Sequence, residues 1–469
     1  MKKWMLNLIV MFFCISAYGQ DSLSLYLSMA AKNNPAVLQK FTEYKAALQK
    51  VLQVGSLPDP ELNVGVFLSP MELIGGNQVA DIKLMQMFPW FGVLKNAKDE
   101  MSLMAKAKFE SFRDAKLQTF YNVQRTWYEL QKVKQNIRIT EKNIELLKTV
   151  ERISLVKFRV ASIGKASAGS SSASPAAASG NSSGGNSGMN SMGGGGNSSA
   201  VSPSTPPMGG GGMGSSASGS GLADIYRIQM ERGELENSLA LLHSQEQTIV
   251  ARFNSYLNRP VTTGVITPDK LVVDSSDILP KTLSDSLFSG NPMLGMLLYE
   301  QQSAEARKKM VTKMGYPMVG VGLNYSLINK NPMSTSEMNG KDMVMPMVTV
   351  TLPIYRKKYK AMQNEAELMK TASQQGYQAT ANALNAEYYE AMQLYQDAAR
   401  RIKLYANQTA LAQKSLDITI KSFSASGAGL TELLSIRRQQ LDYEQKQIEA
   451  IADYNTAVAW IKRLVSCGE

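Results

Sequence analysis

The sequence predicts a mainly α protein with a transmembrane β part, in which long coiled-coil helices accompany four short β-strands in each protomer. Three observations carry that expectation. Apolar residues recur every seven positions along the helical segments, four short segments alternate apolar with polar residues, and a set of motifs returns after 257 to 265 positions. Each element can be justified in chain order.

Residues 1–19 read as a secretory signal. Lys2 and Lys3 precede an apolar run from Leu6 to Ile15, and Ala17-Tyr18-Gly19 supplies small residues for cleavage. The run is too short to span a bilayer. Lipidation through Cys14 is disfavoured by Met11-Phe12-Phe13, which lacks the small residues that a lipobox needs. No later stretch is apolar enough for a transmembrane helix, so a membrane location has to come from strands.

The internal repeat organises the rest. Asn34-Pro35 returns as Asn291-Pro292, 257 positions on, and Pro60, Val64 and Gly65 return as Pro317, Val321 and Gly322. Phe158 and Gly164 meet Phe423 and Gly429 at an offset of 265, and Gly221-Leu222-Ala223-Asp224 meets Gly429-Leu430-Thr431-Glu432 at 208. The drop of 57 is the length of Lys165–Gly221, a Ser/Gly/Ala/Asn/Pro/Met tract. That composition cannot bury a core, so the tract reads as a disordered insertion at 165–221.

The expected layout is then a first repeat over 20–258, an equatorial connector over 259–281 and a second repeat over 282–466. The first holds a lead-in helix (Leu23–Gly55), strands near 60–69 and 80–90, a long helix 91–162 and a return helix 222–258. The second holds a helix from Thr282 to Met314, strands near 317–328 and 343–353, a long helix 355–425 and a return helix 430–465.

Heptads support the helices. Val123, Leu130, Ile137 and Ile144 recur every seven residues, as do Ile228, Leu235, Leu242, Ile249 and Tyr256. In the second half Leu384, Tyr388, Ala391, Tyr395, Ala398 and Ile402 open a series that runs to Phe423 in steps of four and three, a period that imposes a left-handed supercoil. Each long helix would extend on the order of 105 Å at 1.5 Å per residue. Lead-in and return helices are about half as long, so the geometry closes only where a return abuts a lead-in.

The strands alternate. Leu62, Val64, Val66 and Leu68 share one face, as do Ile82, Leu84 and Phe88; Val319, Val321, Leu323, Tyr325 and Leu327; and Val344, Val348, Val350 and Leu352. The other faces are polar, small or Met. Gln86 and Pro346 interrupt the apolar side, and Phe88, Trp90, Phe91, Tyr355 and Tyr359 stand where an interface belt would fall. Four strands cannot close a membrane barrel, which needs at least about eight. Open edges are not tolerated in lipid, so several copies have to join in a ring.

Catalysis has nothing to stand on. There is one histidine, no Cys/His cluster, no GxSxG and no phosphate loop, so the chain is expected to be no enzyme and to need no cofactor. His243 reads as an ordinary helix residue. Cys467 stands alone after the signal, which leaves no intrachain disulfide. The net charge of +11 is spread along helical segments, a solvated surface rather than a nucleic-acid patch.

Asn34-Pro35, Gly55-Ser56-Leu57-Pro58-Asp59-Pro60, Gln86-Met87-Phe88-Pro89-Trp90-Phe91-Gly92, Trp127-Tyr128-Glu129-Leu130 and Leu257-Asn258-Arg259-Pro260 together resemble the TolC outer-membrane efflux family, in its CusC-like heavy-metal branch. The resemblance covers the mature chain except 165–221. It implies a homotrimer, a twelve-strand barrel in outer-membrane lipid, a periplasmic α-barrel, and docking to a periplasmic membrane-fusion adaptor and an inner-membrane resistance-nodulation-division pump.

The resemblance also assigns residues. Gly164 or Gly221, and Gly429, match the periplasmic tips that meet the adaptor. Asp224 and Glu432 fall where relatives carry a constricting acidic gate, although acids early in a helix equally complement its dipole. Ser435 stands where some relatives carry a second acid.

Twenty-seven methionines are many. Met85, Met87, Met318, Met343, Met345 and Met347 fall on the predicted inward face, and Met189, Met192, Met208 and Met213 in the insertion. Thioethers select soft cations such as Cu(I), but methionine is also a flexible filler. The leading expectation is an exit duct for efflux, with Cu(I) or Ag(I) as candidate cargo. The alternatives are an envelope coiled coil without a pore and a periplasmic metal-binding module.

Overall fold

The computed structural model describes residues 22–168, 220–274, 290–425 and 429–466. In chain order these residues form α1 (Ser22–Asn33), α2 (Pro35–Val54), β1 (Glu61–Leu73), β2 (Gly76–Phe88), α3 (Val93–Ala168), α4 (Ser220–Tyr256), α5 (Pro292–Met314), β3 (Met318–Asn329), β4 (Met343–Thr351), α6 (Arg356–Ser424) and α7 (Leu430–Leu464). They fall into two compact units. One lies within Met1–Ile139, Leu241–Asp417 and Arg437–Glu469, the other within Thr140–Ala240 and Ile418–Ile436.

The single lead-in helix expected over Leu23–Gly55 is instead two helices. Asn34 is extended (φ −65, ψ 122), and its side chain accepts from the backbone N–H groups of Ala36 and Val37. That caps α2, while Pro35 occupies the first helical position, where a missing N–H costs nothing. Asn291-Pro292 repeats the device: Asn291 accepts from the Met293 N–H and caps α5. Each capping amide also donates outward, Asn34 to the Tyr256 carbonyl at 2.9 Å and Asn291 to the Leu464 carbonyl at 3.1 Å. Each short helix is thereby tied to the last turn of the return helix of its own half.

The strands make one antiparallel sheet in the order β1-β2-β3-β4. The first hairpin is longer than the sequence suggested, because Pro70 masked the strand. Pro lacks a ladder donor and is tolerated on edge strands; β1 is an edge, and its register shifts between Val66 and Met71 to pass the proline. Pro346 sits on the other edge strand, opposite Leu323. Gly76 turns the hairpin at φ +124, against the Asn329 carbonyl.

Heptad residues contribute to the cores beside residues outside those series. In the first unit Leu294, Leu384, Tyr388, Ala391, Met392, Ile461, Leu464 and Val465 form one buried cluster, with Tyr395 and Trp460 packed against it. Tyr26, Trp127 and Phe253 form a second, their ring centroids 5.1 to 5.8 Å apart. Arg259 lies 5.2 Å from the Tyr26 ring and donates to Asn254. The Trp127 and Asn258-Arg259-Pro260 motifs are thus packing and turn chemistry, with Asn258 left-handed at φ 52. In the second unit Ile144, Leu147, Ile225, Ile228, Leu430 and Leu433 are buried.

The connector is laced to its neighbours. Lys134 donates to the Val265 carbonyl, Arg138 pairs with Asp269, Asn455 holds both the Val272 carbonyl and the Asp274 N–H, and Lys462 pairs with Asp274. Two helix boundaries also move: α3 runs through Gly164 to Ala168, and α4 begins at Ser220. The remainder of the insertion, the signal, residues 275–289, Cys14 and Cys467 lie outside the described residues.

Candidate functional site

The sheet presents two chemically opposed faces. Register pairs Leu62 with Leu84, Val64 with Ile82, Leu84 with Leu323, Phe88 with Val319, Val319 with Val350 and Val321 with Val348. These residues line one face, and they are open: Leu62, Val64, Val66 and Val348 are 62 to 71% exposed. A continuous exposed apolar face of this kind marks a surface for lipid or for a partner. Gln86, which interrupts the pattern, spends its amide on the carbonyl of Pro58.

The opposite face carries Glu61, Asn63, Asp81, Lys83, Asn324, Ser326, Thr349 and Thr351, with methionines between them. Lys83 lies opposite Asn63 on one side and Asn324 on the other. Five candidate metal-binding methionines stand on this face. Met85 and Met87 lie opposite Gly322 and Gly320, and Met343, Met345 and Met347 lie opposite Ser326, Asn324 and Gly322. Met85 is buried, whereas Met343 and Met345 are exposed. Among the described residues no three His, Cys, Asp or Glu side chains gather as a metal site.

Among the described residues β1 and β4 each pair on one side only, so both edges of the sheet carry backbone groups with no strand partner there. No helix among the described residues is long and apolar enough to cross a membrane. Phe91 and Tyr355 stand exposed just beyond β2 and β4, and Trp90 stacks on Tyr316 at 5.4 Å.

The second unit holds the residues predicted for the turn. Gly164 lies inside α3 and Gly221 in the first turn of α4; residues 169–219 between the two helices lie outside the described residues. Gly429 immediately precedes α7, where its carbonyl accepts from the Leu433 N–H at 3.3 Å. Asp224 and Glu432 lie in the opening turns of α4 and α7, half-buried and exposed respectively.

The structure adds cations that sequence reasoning missed. Arg227, one turn after Asp224, donates to the Thr431 hydroxyl at 2.8 Å, beside Glu432. Arg232 pairs with Glu151 at 2.8 Å, and Gln229 donates to the same carboxylate. Lys157 donates to the Phe423 carbonyl and lies 4.0 Å from its ring centroid. The partners in the Arg227 and Lys157 contacts are separated by more than two hundred positions, so no local pattern could have exposed them.

His243 is half-exposed, 3.8 Å from Glu246, an ordinary helix position.

The described residues form a two-faced four-strand sheet set between long heptad helices, a fold shared with solved outer-membrane channels that have a helical part and a β part. Residues 283–465 match the family model described as outer membrane efflux protein. The likeness in fold reaches beyond those residues. The outer-membrane channel OprN superposes with a TM-score of 0.70 at 13% identity, covering 95% of this chain and 90% of that one. CusC gives 0.69 at 13% over 96% and 95%, and the open state of the Neisseria gonorrhoeae MtrE outer membrane channel gives 0.67 at 12% over 94% and 88%. No curated protein sequence matches the chain.

Proposed function

We propose that the protein is an outer-membrane exit duct of a tripartite efflux system, carrying solutes from the periplasm to the exterior. The observation that carries this reading is the sheet: one face apolar and open, the other polar, with neither edge paired among the described residues. Open edges in hydrocarbon cost several kcal/mol per unsatisfied group, so edge must meet edge in a closed ring. Three copies supply twelve strands, and the polar faces then line a lumen. The family matched over residues 283–465 and the channel fold support the same reading. A coiled coil without a pore would have no use for a lipid-facing sheet.

The helical part extends into the periplasm in this reading. Gly164, Gly221 and Gly429 mark the periplasmic tips, which meet a membrane-fusion adaptor and, through it, an inner-membrane resistance-nodulation-division pump. Asp224 and Glu432 form a ring of six carboxylates in a trimer, which favours cations at a narrow mouth. The cargo includes the soft monovalent cations Cu(I) or Ag(I), a reading that rests on the methionine-rich lumen face. Outer-membrane fractionation, heat-modifiable gel mobility and conductance in planar bilayers test the duct. Recovery of the protein as a soluble monomer refutes it.

A further inference from the structure

On the polar face of the sheet, one row of side chains crosses all four strands: Glu61 on β1, Met85 on β2, Gly322 on β3 and Met347 on β4. In the adjacent row Met87 faces Gly320. The two glycines leave a trough into which the methionines lean. The Met85 and Met87 sulfurs both lie within 3.3 Å of the point where a Cβ on Gly320 would sit, and the Met85 sulfur is 3.1 Å from the same point on Gly322. Met347, across from Gly322, is half-buried while every other residue of β4 is exposed.

We infer that Met85, Met87 and Met347 form a thioether site for a soft monovalent cation, Cu(I) or Ag(I), on the lumen wall. The inference rests on the duct reading, because only there does this face meet a passing solute. Thioether sulfur is neutral and soft; it selects Cu(I) over Mg(II) or Ca(II). It carries no proton at neutral pH, so occupancy does not depend on pH as it does at a carboxylate or imidazole. Glu61 adds a compensating charge in the same row, and Lys83, on the same face two residues before Met85, opposes tight capture. The result is an exchangeable transit site. Met343 and Met345, opposite Ser326 and Asn324, do not face the glycine trough and are left out.

Methionine also fills gaps in packing, and the test separates the two roles. Leucine conserves volume and removes sulfur at small cost in stability. Purified full-length protein is titrated with silver nitrate under equilibrium dialysis. Met85→Leu/Met87→Leu is compared with Met230→Leu/Met369→Leu, which alters exposed helix methionines. The site predicts that the first variant loses one equivalent of silver per chain and the second loses none. Equal binding by wild type and the first variant overturns it. Conductance in potassium nitrate keeps the readings apart. A conducting channel whose current is blocked by silver about tenfold less readily in the first variant supports the site, and a conducting channel with unchanged silver sensitivity rejects the site alone. Absence of potassium conductance rejects the duct itself.

Discussion

The side-chain amide of Asn34 donates to the backbone carbonyl of Tyr256 at 2.9 Å, across 222 positions of sequence. One residue thereby caps α2 and ties it to the end of α4, and Asn291 does the same between α5 and α7. Two short helices are docked end to end in each half by one buried amide.

Asn34→Ala removes both roles. The loss of an N-cap alone costs about 1 kcal/mol, and the Tyr256 carbonyl loses a donor as well. We expect destabilisation of about 2 kcal/mol from Asn34→Ala and a similar loss from Asn291→Ala. The two sites share no partner, so the double variant should lose the sum. The temperature at which the heat-modifiable species disappears measures this.

Gly76 and Gly233 are predicted to respond in opposite directions to alanine. At Gly76 the backbone is at φ +124, and a Cβ would sit 2.5 Å from the Asn329 carbonyl oxygen. Gly76→Ala should block closure of the β1–β2 hairpin and reduce assembled protein in the outer membrane. At Gly233, inside α4, a Cβ meets nothing within 4 Å. Gly233→Ala should stabilise by roughly 0.5–1 kcal/mol, the helix cost of glycine. Thermal unfolding of the two variants side by side checks both signs.

Asp114 gives a pH dependence. Burial raises its carboxyl above the usual range; Arg463 opposes that shift and Glu387 adds to it. A carboxyl held higher in the folded state contributes stability that is complete below the unfolded value of about 4 and is lost as pH rises through the folded value. Asp114→Asn removes this loss. The variant should be more stable than wild type at neutral pH, and the difference should shrink on acidification toward pH 4. Unfolding midpoints across that range measure it.

Asp224→Asn combined with Glu432→Gln tests the acidic ring. Removal of six carboxylates from a trimer should lower cation preference, so the reversal potential in a potassium chloride gradient moves toward zero. Arg227→Gln, which removes a neighbouring cation held on Thr431, should move it the other way. A helix-dipole role alone predicts altered stability with no change in reversal potential.

Some of this was legible in the residues because period and face are local properties. Val64 and Val321 announce their face by alternation, and Leu384 to Phe423 announce a seam by steps of four and three. Asn34-Pro35 is visible as a repeated motif, but the helix break it makes depends on the Asn34 side chain capping α2 and reaching the Tyr256 carbonyl. Pro70 concealed the extension of β1 because its tolerance depends on edge position, which only the assembled sheet defines. Arg227 with Thr431, Lys157 with Phe423 and Asn455 with the connector join residues 181 to 266 positions apart. Each is a tertiary contact with no sequence neighbourhood to betray it. The glycine trough under Met85 was hidden for the same reason, as it needs β2 and β3 in register.

The central claim is that the open apolar face meets lipid and that β1 of one copy seals against β4 of the next. Light scattering of the detergent-extracted protein, with the detergent contribution subtracted, tests it most directly. A protein mass of three chains that precipitates when detergent is withdrawn is the expected result. A single chain that stays in solution without detergent would contradict the account.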